Sequence, residues 1–307
     1  MSLINPNFPR SAAGLRRESV SVISLQKQGR RFGLRRAATI QLPEGVLQPD
    51  FFEENIVEPS QVLSAMREAA TSAGLNGQKK WSVSLPADTA RMTILTLETA
   101  PKSKAERADV LNWKAERAFG EKPAEMRLAF QPLTPDEKGR TRFFAMSIRL
   151  DVLAEYEDLF DTLGWKTGLM LPRHISEANW LMLPKSTGDA MMVSLQADGF
   201  TAVLLRASQP AVVRSVICEP EEREDELYRL LLFYRDRFET ETSGASLQKL
   251  LLIGADFPKE RLSEIAQETL GYDLQILGSN EVGLSLPAEI RFEDIAAPAG
   301  LASLAWR

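Results

Sequence analysis

One cysteine and one histidine are all that this 307-residue sequence has of the two side chains most used for redox and metal chemistry. A lone Cys218 excludes an internal disulfide, and its neighbours Val212, Val213, Val216 and Ile217 mark it as a buried, inert thiol. His174 has no second histidine with which to share a metal, so no metal site is expected. Its setting, Pro172-Arg173-His174-Ile175-Ser176-Glu177, reads as a helix entrance with a capping or surface imidazole. No run of about eighteen uncharged apolar residues is present, and Met1 to Arg10 lacks the apolar centre of a secretion signal, so a cytoplasmic chain is expected. Neither G-x-x-x-x-G-K-[ST] nor G-x-G-x-x-G occurs, which removes the common phosphate-cradling loops.

What is present is the composition of a folded protein, 44% hydrophobic and 26% charged, in a chain long enough for more than one packed unit. The net charge of −5 argues against general nucleic-acid binding. That charge is uneven. Between Met1 and Ile40 stand eight basic residues (Arg10, Arg16, Arg17, Lys27, Arg30, Arg31, Arg35, Arg36) against one acid, Glu18. Two readings fit them: a face lying near anionic lipid or an acidic partner, or the solvated edge of a hairpin. The acidic run Glu219 to Glu226 precedes an apolar helix and fits the positive end of its dipole.

Periodicity gives the layout. Val20 to Leu25 and Leu34 to Leu42 read as strands around a turn at Gly29, followed by a helix capped by Ser60 and closed by Gly74. Strands Trp81 to Leu85 and Met92 to Leu97, a helix Ser103 to Phe119, strands Met126 to Pro132 and Arg142 to Ile148, and a helix with the stripe Leu153, Tyr156, Phe160, Leu163 come next. Strand, helix, strand, strand, helix is the order of a small ferredoxin-like or SHS2-type module. Beyond a polar connector, Lys185 to Asp189, the pattern restarts with strands Met191 to Leu195, Thr201 to Leu205 and Val212 to Ile217. A helix through Leu227, Leu230, Leu231, Tyr234 and Phe238, strand Lys249 to Ile253, a helix through Leu262, Ile265, Ala266 and Leu270, and strand Leu274 to Leu277 complete it. Two halves that open on consecutive strands and end on helices point to a duplicated α/β architecture.

In chain order stand Asn55-Ile56-Val57-Glu58-Pro59, Ala65-Met66-Arg67-Glu68, Gly74-Leu75 and Lys79 through Pro86; then Trp113-Lys114-Ala115-Glu116 and Phe130-Gln131-Pro132-Leu133; and finally Leu231 through Arg235 and Lys249 through Gly254. These runs resemble the PilM family of type IV pilus assembly proteins. Their order is that of the family over most of the chain. The resemblance implies an actin-like α/β fold of the FtsA/PilM type, two-lobed, with an inserted ferredoxin-like or SHS2-type subdomain. Its parts would be a first subdomain at 1–78 with 172–187, an insertion at 79–171 and a second lobe at 188–307.

In such folds two hairpins of the form Asp-x-Gly hold nucleotide and Mg²⁺ between the lobes, the aspartate organising the metal and the glycine admitting the phosphates. This sequence has Gly14 and Arg16 at the first pair of positions and Ser194 and Gln196 at the second. Gly254 remains from a glycine-rich adenosine loop but is followed by Ala255-Asp256-Phe257-Pro258, whose bulk would crowd a base. The resemblance therefore implies a pseudo-ATPase: no catalytic residue, no cofactor, no enzyme.

What remains is a scaffold at the cytoplasmic face of the inner membrane. It would capture the N-terminal tail of a PilN-like membrane protein between the opening subdomain and the first strand and helix of the insertion, with Leu85, Pro86 and Trp113 as candidate contacts, each with a core role as its alternative. Other readings are an ATP-binding or hydrolysing relative in which Asp198-Gly199, Asp189 or Asp256 restores the ATP and Mg²⁺ site after a register shift; the cytoplasmic part of a GspL-like secretion subunit, which would continue into a membrane helix where this chain ends at Arg307; and a sugar or acetate kinase.

Overall fold

The computed structural model describes residues 8–182, 188–239, 246–254 and 256–306. The chain forms two compact units, Met1–Ser176 with Ala297–Arg307, and Glu177–Ala296.

Unit 1 is built on strands β1 (Ser11–Arg16), β2 (Ser19–Gln28), β3 (Arg31–Gln41), β4 (Lys80–Leu85), β5 (Arg91–Leu97), β6 (Met126–Leu133), β7 (Thr141–Arg149) and β8 (Lys166–Pro172), with helices α1 (Pro59–Ser72), α2 (Lys104–Phe119) and α3 (Leu150–Thr162). Five of these strands lie in the order β3-β2-β1-β4-β8, antiparallel across β1–β2–β3 and parallel across β1–β4–β8. Gly14 pairs with Ser21 on one side and Ser84 on the other, which makes β1 an interior strand. The sequence reading left β1 in the N-terminal arm. Its residues are almost all buried, so Ser11-Ala12-Ala13-Gly14 shows no alternation, and small side chains carry little strand preference.

Helices α1 and α3 cover one face of this sheet with Val62, Met66, Ala69, Tyr156 and Phe160, and Trp81 stacks on Trp165 at 4.6 Å. Helix α1 starts at Pro59, with Glu58 as its cap residue, so Ser60 sits inside the first turn and not at the cap. Proline at the first helical position supplies the fixed φ without losing a needed donor. Gly74 takes φ +63° and ends the helix as expected.

The order β5, α2, β6, β7 forms a three-stranded antiparallel layer, β5-β7-β6, backed by α2. Ser103 caps α2 through Glu106 N–H at 3.0 Å, and Gly120 closes it at φ +80°. The expected insertion at 79–171 is thus too wide. Its first strand, β4, and its last elements, α3 and β8, belong to the larger sheet and its core, because Trp81, Val83, Tyr156 and Phe160 bury against α1 and not against α2.

Helix α4 (Arg173–Met182) carries the chain from unit 1 into unit 2, the division falling after Ser176. His174 lies at its entrance as expected, but buried, not at the surface.

Unit 2 comprises β9 (Asp189–Gln196), β10 (Gly199–Arg206), β11 (Gln209–Ile217), α5 (Arg223–Phe238), β12 (Leu247–Ile253), α6 (Lys259–Leu270) and β13 (Gln275–Leu277). Its strand order, β11-β10-β9-β12-β13, with antiparallel β9–β10–β11 and parallel β9–β12–β13, repeats the five-strand order of unit 1. Leu227, Leu231 and Tyr234 of α5 and Leu262 and Ile265 of α6 fill one face. Ala207 and Ser208 join β10 to β11 in a two-residue turn with both φ positive, the backbone twist that matches a hairpin. The acidic run leads into α5: Glu219 and Glu222 form a capping box on the single 3-10 turn Pro220–Glu222 that precedes it, and Glu224, Asp225 and Glu226 occupy the first turn of the helix.

The chain re-enters unit 1 within α7 (Phe292–Ser303), from Ala297 onward, so the expected second lobe at 188–307 ends about ten residues early. Most of the expected connector at 185–189 lies outside the described residues. Among the described residues no helix is long and apolar enough to cross a membrane.

Candidate functional site

The two hairpins expected to hold phosphates occupy equivalent places in the two sheets. Strand β1 reaches its turn with Arg16 opposite Ser19, and β9 reaches its turn with Gln196 opposite Gly199, so each hairpin has a two-residue turn, Arg17-Glu18 and Ala197-Asp198. Gly14 and Ser194 both stand two residues earlier on an interior strand. The register read from the sequence therefore pairs like with like.

At Gly14 the space for a side chain is already filled. A β-carbon there would lie 2.9 Å from the Pro298 ring of α7 and 2.9 Å from Ser21 Oγ. An aspartate at this position would need Pro298 to move. Arg16 turns its guanidinium onto Glu18, forming an ion pair across the turn.

Ser194 is fully buried between Thr201 and Ile253, in the interior of its sheet. Gln196 Nε2 donates to Thr201 Oγ1 at 3.2 Å, and the carbonyls of Gln196 and Ala197 both accept from Arg223 Nη2, at 2.5 and 3.1 Å. A buried guanidinium at the start of α5 thus tethers the β9–β10 turn through its carbonyl oxygens. Loops that cradle phosphate present N–H groups; this turn is held by an internal cation instead.

The glycines that survive have packing reasons of their own. Gly254 has φ +130°, and its missing side chain leaves room for Leu195, whose Cβ would be 2.7 Å away. Gly199 has φ +142°, and a β-carbon would meet the Val216 carbonyl at 1.9 Å. Asp198, its neighbour, is exposed in the turn. Asp189 sits at the opposite end of β9 from the turn, buried, accepting from Tyr234 O–H at 3.0 Å and pairing with Arg206 at 3.1 Å. That placement removes Asp189 as a metal-organising acid. Asp256 is exposed. The expectation that Phe257 crowds a base is corrected: its ring is buried in the core of unit 2. Ala255 lies outside the described residues. Burial raises the pKa of the Cys218 thiol, which keeps it protonated and unreactive.

A largely apolar pocket lies within unit 1. It encloses about 270 Å³, lined by Leu85 and Ala90, by Arg127 and Ala129 of β6, by Met146 and Ile148 of β7, by Leu153 and Glu157 of α3, and by all of β8 from Thr167 to Pro172. Alternation places these residues: on β6, Leu128 and Phe130 face α2, so Arg127 and Ala129 face the pocket, and on β7 Phe143 and Ala145 face α2 while Met146 and Ile148 do not. Strand β8 is the last in its sheet and β6 the last in the three-stranded layer, so two strand edges border one apolar depression. Arg127 and Glu157 add an exposed charge of each sign.

Of the three expected contacts, Leu85 lines this pocket; Pro86 is buried just beyond it, and Trp113 stands exposed on α2 under the Arg117 guanidinium at 5.0 Å. Of the expected border, the first strand and helix of the insertion, Leu85 of β4 lies on this pocket and no α2 residue lines it; its other walls come from β6, β7, α3 and β8. Alternation along Arg127-Leu128-Ala129-Phe130-Gln131 could have shown which face of β6 is unpartnered. Strand β8 had no such signal, since Gly168 and Pro172 break the pattern.

The segment Asn55-Ile56, prominent in the sequence, forms the joint between the opening subdomain and α3. Asn55 is fully buried; its side chain accepts from Tyr156 O–H at 2.9 Å and Thr89 Oγ1 at 3.1 Å and donates to the carbonyls of Asp50 and Glu53, each at 2.8 Å. The Glu155 carboxylate accepts from the N–H groups of Asn55 and Ile56 at 2.9 and 2.8 Å, yet burial outweighs these donors and raises its pKa.

No protein-family model and no curated protein matches the chain. Among solved structures, a chain of the PilM–PilN type IV pilus biogenesis complex is similar at 17% identity, over 98% of this chain and all of that one, with a TM-score of 0.76. A Bacteroides thetaiotaomicron protein with an actin-like ATPase fold and unknown function follows at 11% identity, 98% of both chains and a TM-score of 0.49. The cytoplasmic domain of EpsL, an inner-membrane component of the Vibrio cholerae type II secretion system, matches at 12% identity, 86% of this chain and 96% of that one, also at 0.49. The chain has an actin-like α/β fold, and it shares that fold from end to end with the chain from the pilus biogenesis complex.

Proposed function

We propose that this chain is a cytoplasmic scaffold of type IV pilus assembly, peripheral to the inner membrane, that holds the N-terminal tail of a PilN-like membrane protein in the unit-1 pocket and does so without nucleotide. The observation that carries this reading is the pocket itself: an apolar floor of Leu85, Met146, Ile148 and Leu153 bordered by the outer edges of β6 and β8. An extended peptide laid along β8 gains main-chain hydrogen bonds from an edge strand and seats alternate side chains in the floor. The structural neighbour was solved as a complex of PilM with PilN, which supports a partner of that kind.

The nucleotide-free part rests on Gly14 closed off by Pro298, the β9–β10 turn tethered by Arg223, and Gly254 filled by Leu195. Each of these positions is committed to packing. A scaffold that works by peptide capture loses nothing by it.

The test is a calorimetric titration with a synthetic peptide of the tail of the PilN-like protein from the same organism. Ala129, exposed on the pocket side of β6, offers a variant that fills the depression without disturbing the core. Ala129→Trp is expected to weaken the peptide about tenfold or more with an unchanged melting temperature. Unaltered affinity in the variant contradicts the pocket; no binding to the unmodified protein contradicts the partner.

A further inference from the structure

The basic residues of the N-terminal region converge on one hairpin. Strands β2 and β3 pair from Ser19–Gln41 out to Gln28–Arg31, closing in a two-residue turn in which Gly29 takes φ +62°. From Gln26 to Arg31 every residue is exposed, so the last turn of this ribbon stands clear of the helices that cover its base. Lys27, Arg30 and Arg31 crowd that tip. Arg35 is the extra residue of a bulge between the pairs Ser24–Arg36 and Leu25–Leu34, and its side chain is exposed. No aspartate or glutamate occurs between Ser19 and Leu42.

On the face shared by Lys27 and Phe32, the Phe32 ring meets Trp306 at 5.6 Å and the Arg10 guanidinium lies over the same indole at 5.3 Å. Trp306 is only partly covered. One guanidinium over a part-exposed indole, beside an exposed basic hairpin tip, is the pairing that settles at a membrane interface, the charges reaching phosphates and the ring lying at headgroup depth. A purely solvated hairpin would have no reason to exclude carboxylates over a whole ribbon in a chain whose net charge is −5.

We infer that the β2–β3 hairpin, with Arg10 and Trp306 beside it, is a docking surface for an anionic lipid bilayer. This contact is separate from the tail pocket and does not depend on it, since β1 and β4 stand between β2–β3 and β8 in strand order. A bilayer is favoured over an acidic protein because the cations lie on an exposed hairpin tip, which presents its charges to a broad planar surface.

The test is co-sedimentation of the full chain with vesicles that contain no protein, either neutral phosphatidylcholine or the same lipid with about 30% phosphatidylglycerol. The unmodified protein is expected to pellet with the anionic vesicles only, and to be released between about 50 and about 300 mM salt. Lys27→Glu with Arg30→Glu, both exposed and outside the core, is expected to lower the bound fraction's partition coefficient by more than about tenfold, since each cation near an anionic surface contributes about fivefold. Lys104→Glu with Arg107→Glu on α2 carries the same charge change elsewhere and is expected to leave pelleting unaltered. Failure of the unmodified protein to pellet overturns the inference, as does equal loss in both double variants, which would report net charge alone. Retention on immobilised polyglutamate without pelleting on vesicles assigns the surface to an acidic protein and overturns it too.

Discussion

A β-carbon at position 14 would sit 2.9 Å from the Pro298 ring, closer than packed carbon atoms approach, so even the smallest side chain there must push α7 away. Gly14→Ala is expected to cost about 1–3 kcal/mol in chemical denaturation, and Pro298→Ala in the same chain to restore part of that loss. A Gly14→Ala protein as stable as the original would show that α7 yields freely and that position 14 is not closed. Asn55 is a second position where one atom set serves several partners. Asn55→Ala leaves Tyr156, Thr89 and two carbonyls short of a partner at once and is expected to lower stability by roughly 2–4 kcal/mol. Glu155, joined to the same segment, has a pKa raised above the usual carboxylate range by burial. Such a group contributes stability that is present below its unfolded pKa and lost as pH rises through the folded one. Glu155→Gln removes that loss, so the variant should gain stability relative to the original protein as pH climbs upward from the ordinary glutamate pKa of about 4.3. A constant gap between the two melting curves over that range would contradict the assignment. At this scale the resemblance to the PilM family located the hairpins: Gly14, Arg16, Ser194 and Gln196, assigned by that resemblance, fall at matched places on them. The sequence was not legible where a distant element decides, as Pro298 does for Gly14 and Arg223 for the β9–β10 turn.

Helices and half-buried strands could be read because one face is apolar and the other is not, as in α2, α3 and β6. The interior strand β1 and the edge strand β8 could not. The first is buried on both sides and made of small residues; the second has glycine and proline in its short span. With β8 unread, the second strand edge beside the pocket has no counterpart in the sequence layout. Helix α2 turns Trp113 outward, 53% exposed, while Leu111, Ala115 and Phe119 face the three-stranded layer. Trp113→Ala is therefore expected to change stability by less than about 1 kcal/mol, the loss being the exposed Arg117 stacking, and to leave tail affinity intact. A large fall in tail affinity would return the binding surface to α2.

Five strands of each large sheet share one order and one pattern of parallel and antiparallel pairing, which is the duplication suggested by the restart of the sequence pattern near residue 190. Duplication at the level of topology survives without identity at the level of residues because strand order depends on burial and turn geometry. The phosphate chemistry of such hairpins depends on single atoms, and in this chain Pro298 fills the space beside Gly14 and Leu195 that beside Gly254. The central claim, a peptide-holding scaffold that works without nucleotide, is tested most directly by titrating the PilN-like tail peptide into the purified full chain in the presence and absence of Mg-ATP. Equal affinity under both conditions is the predicted result. Binding that appears only with Mg-ATP would contradict the account and restore a working nucleotide site to these hairpins.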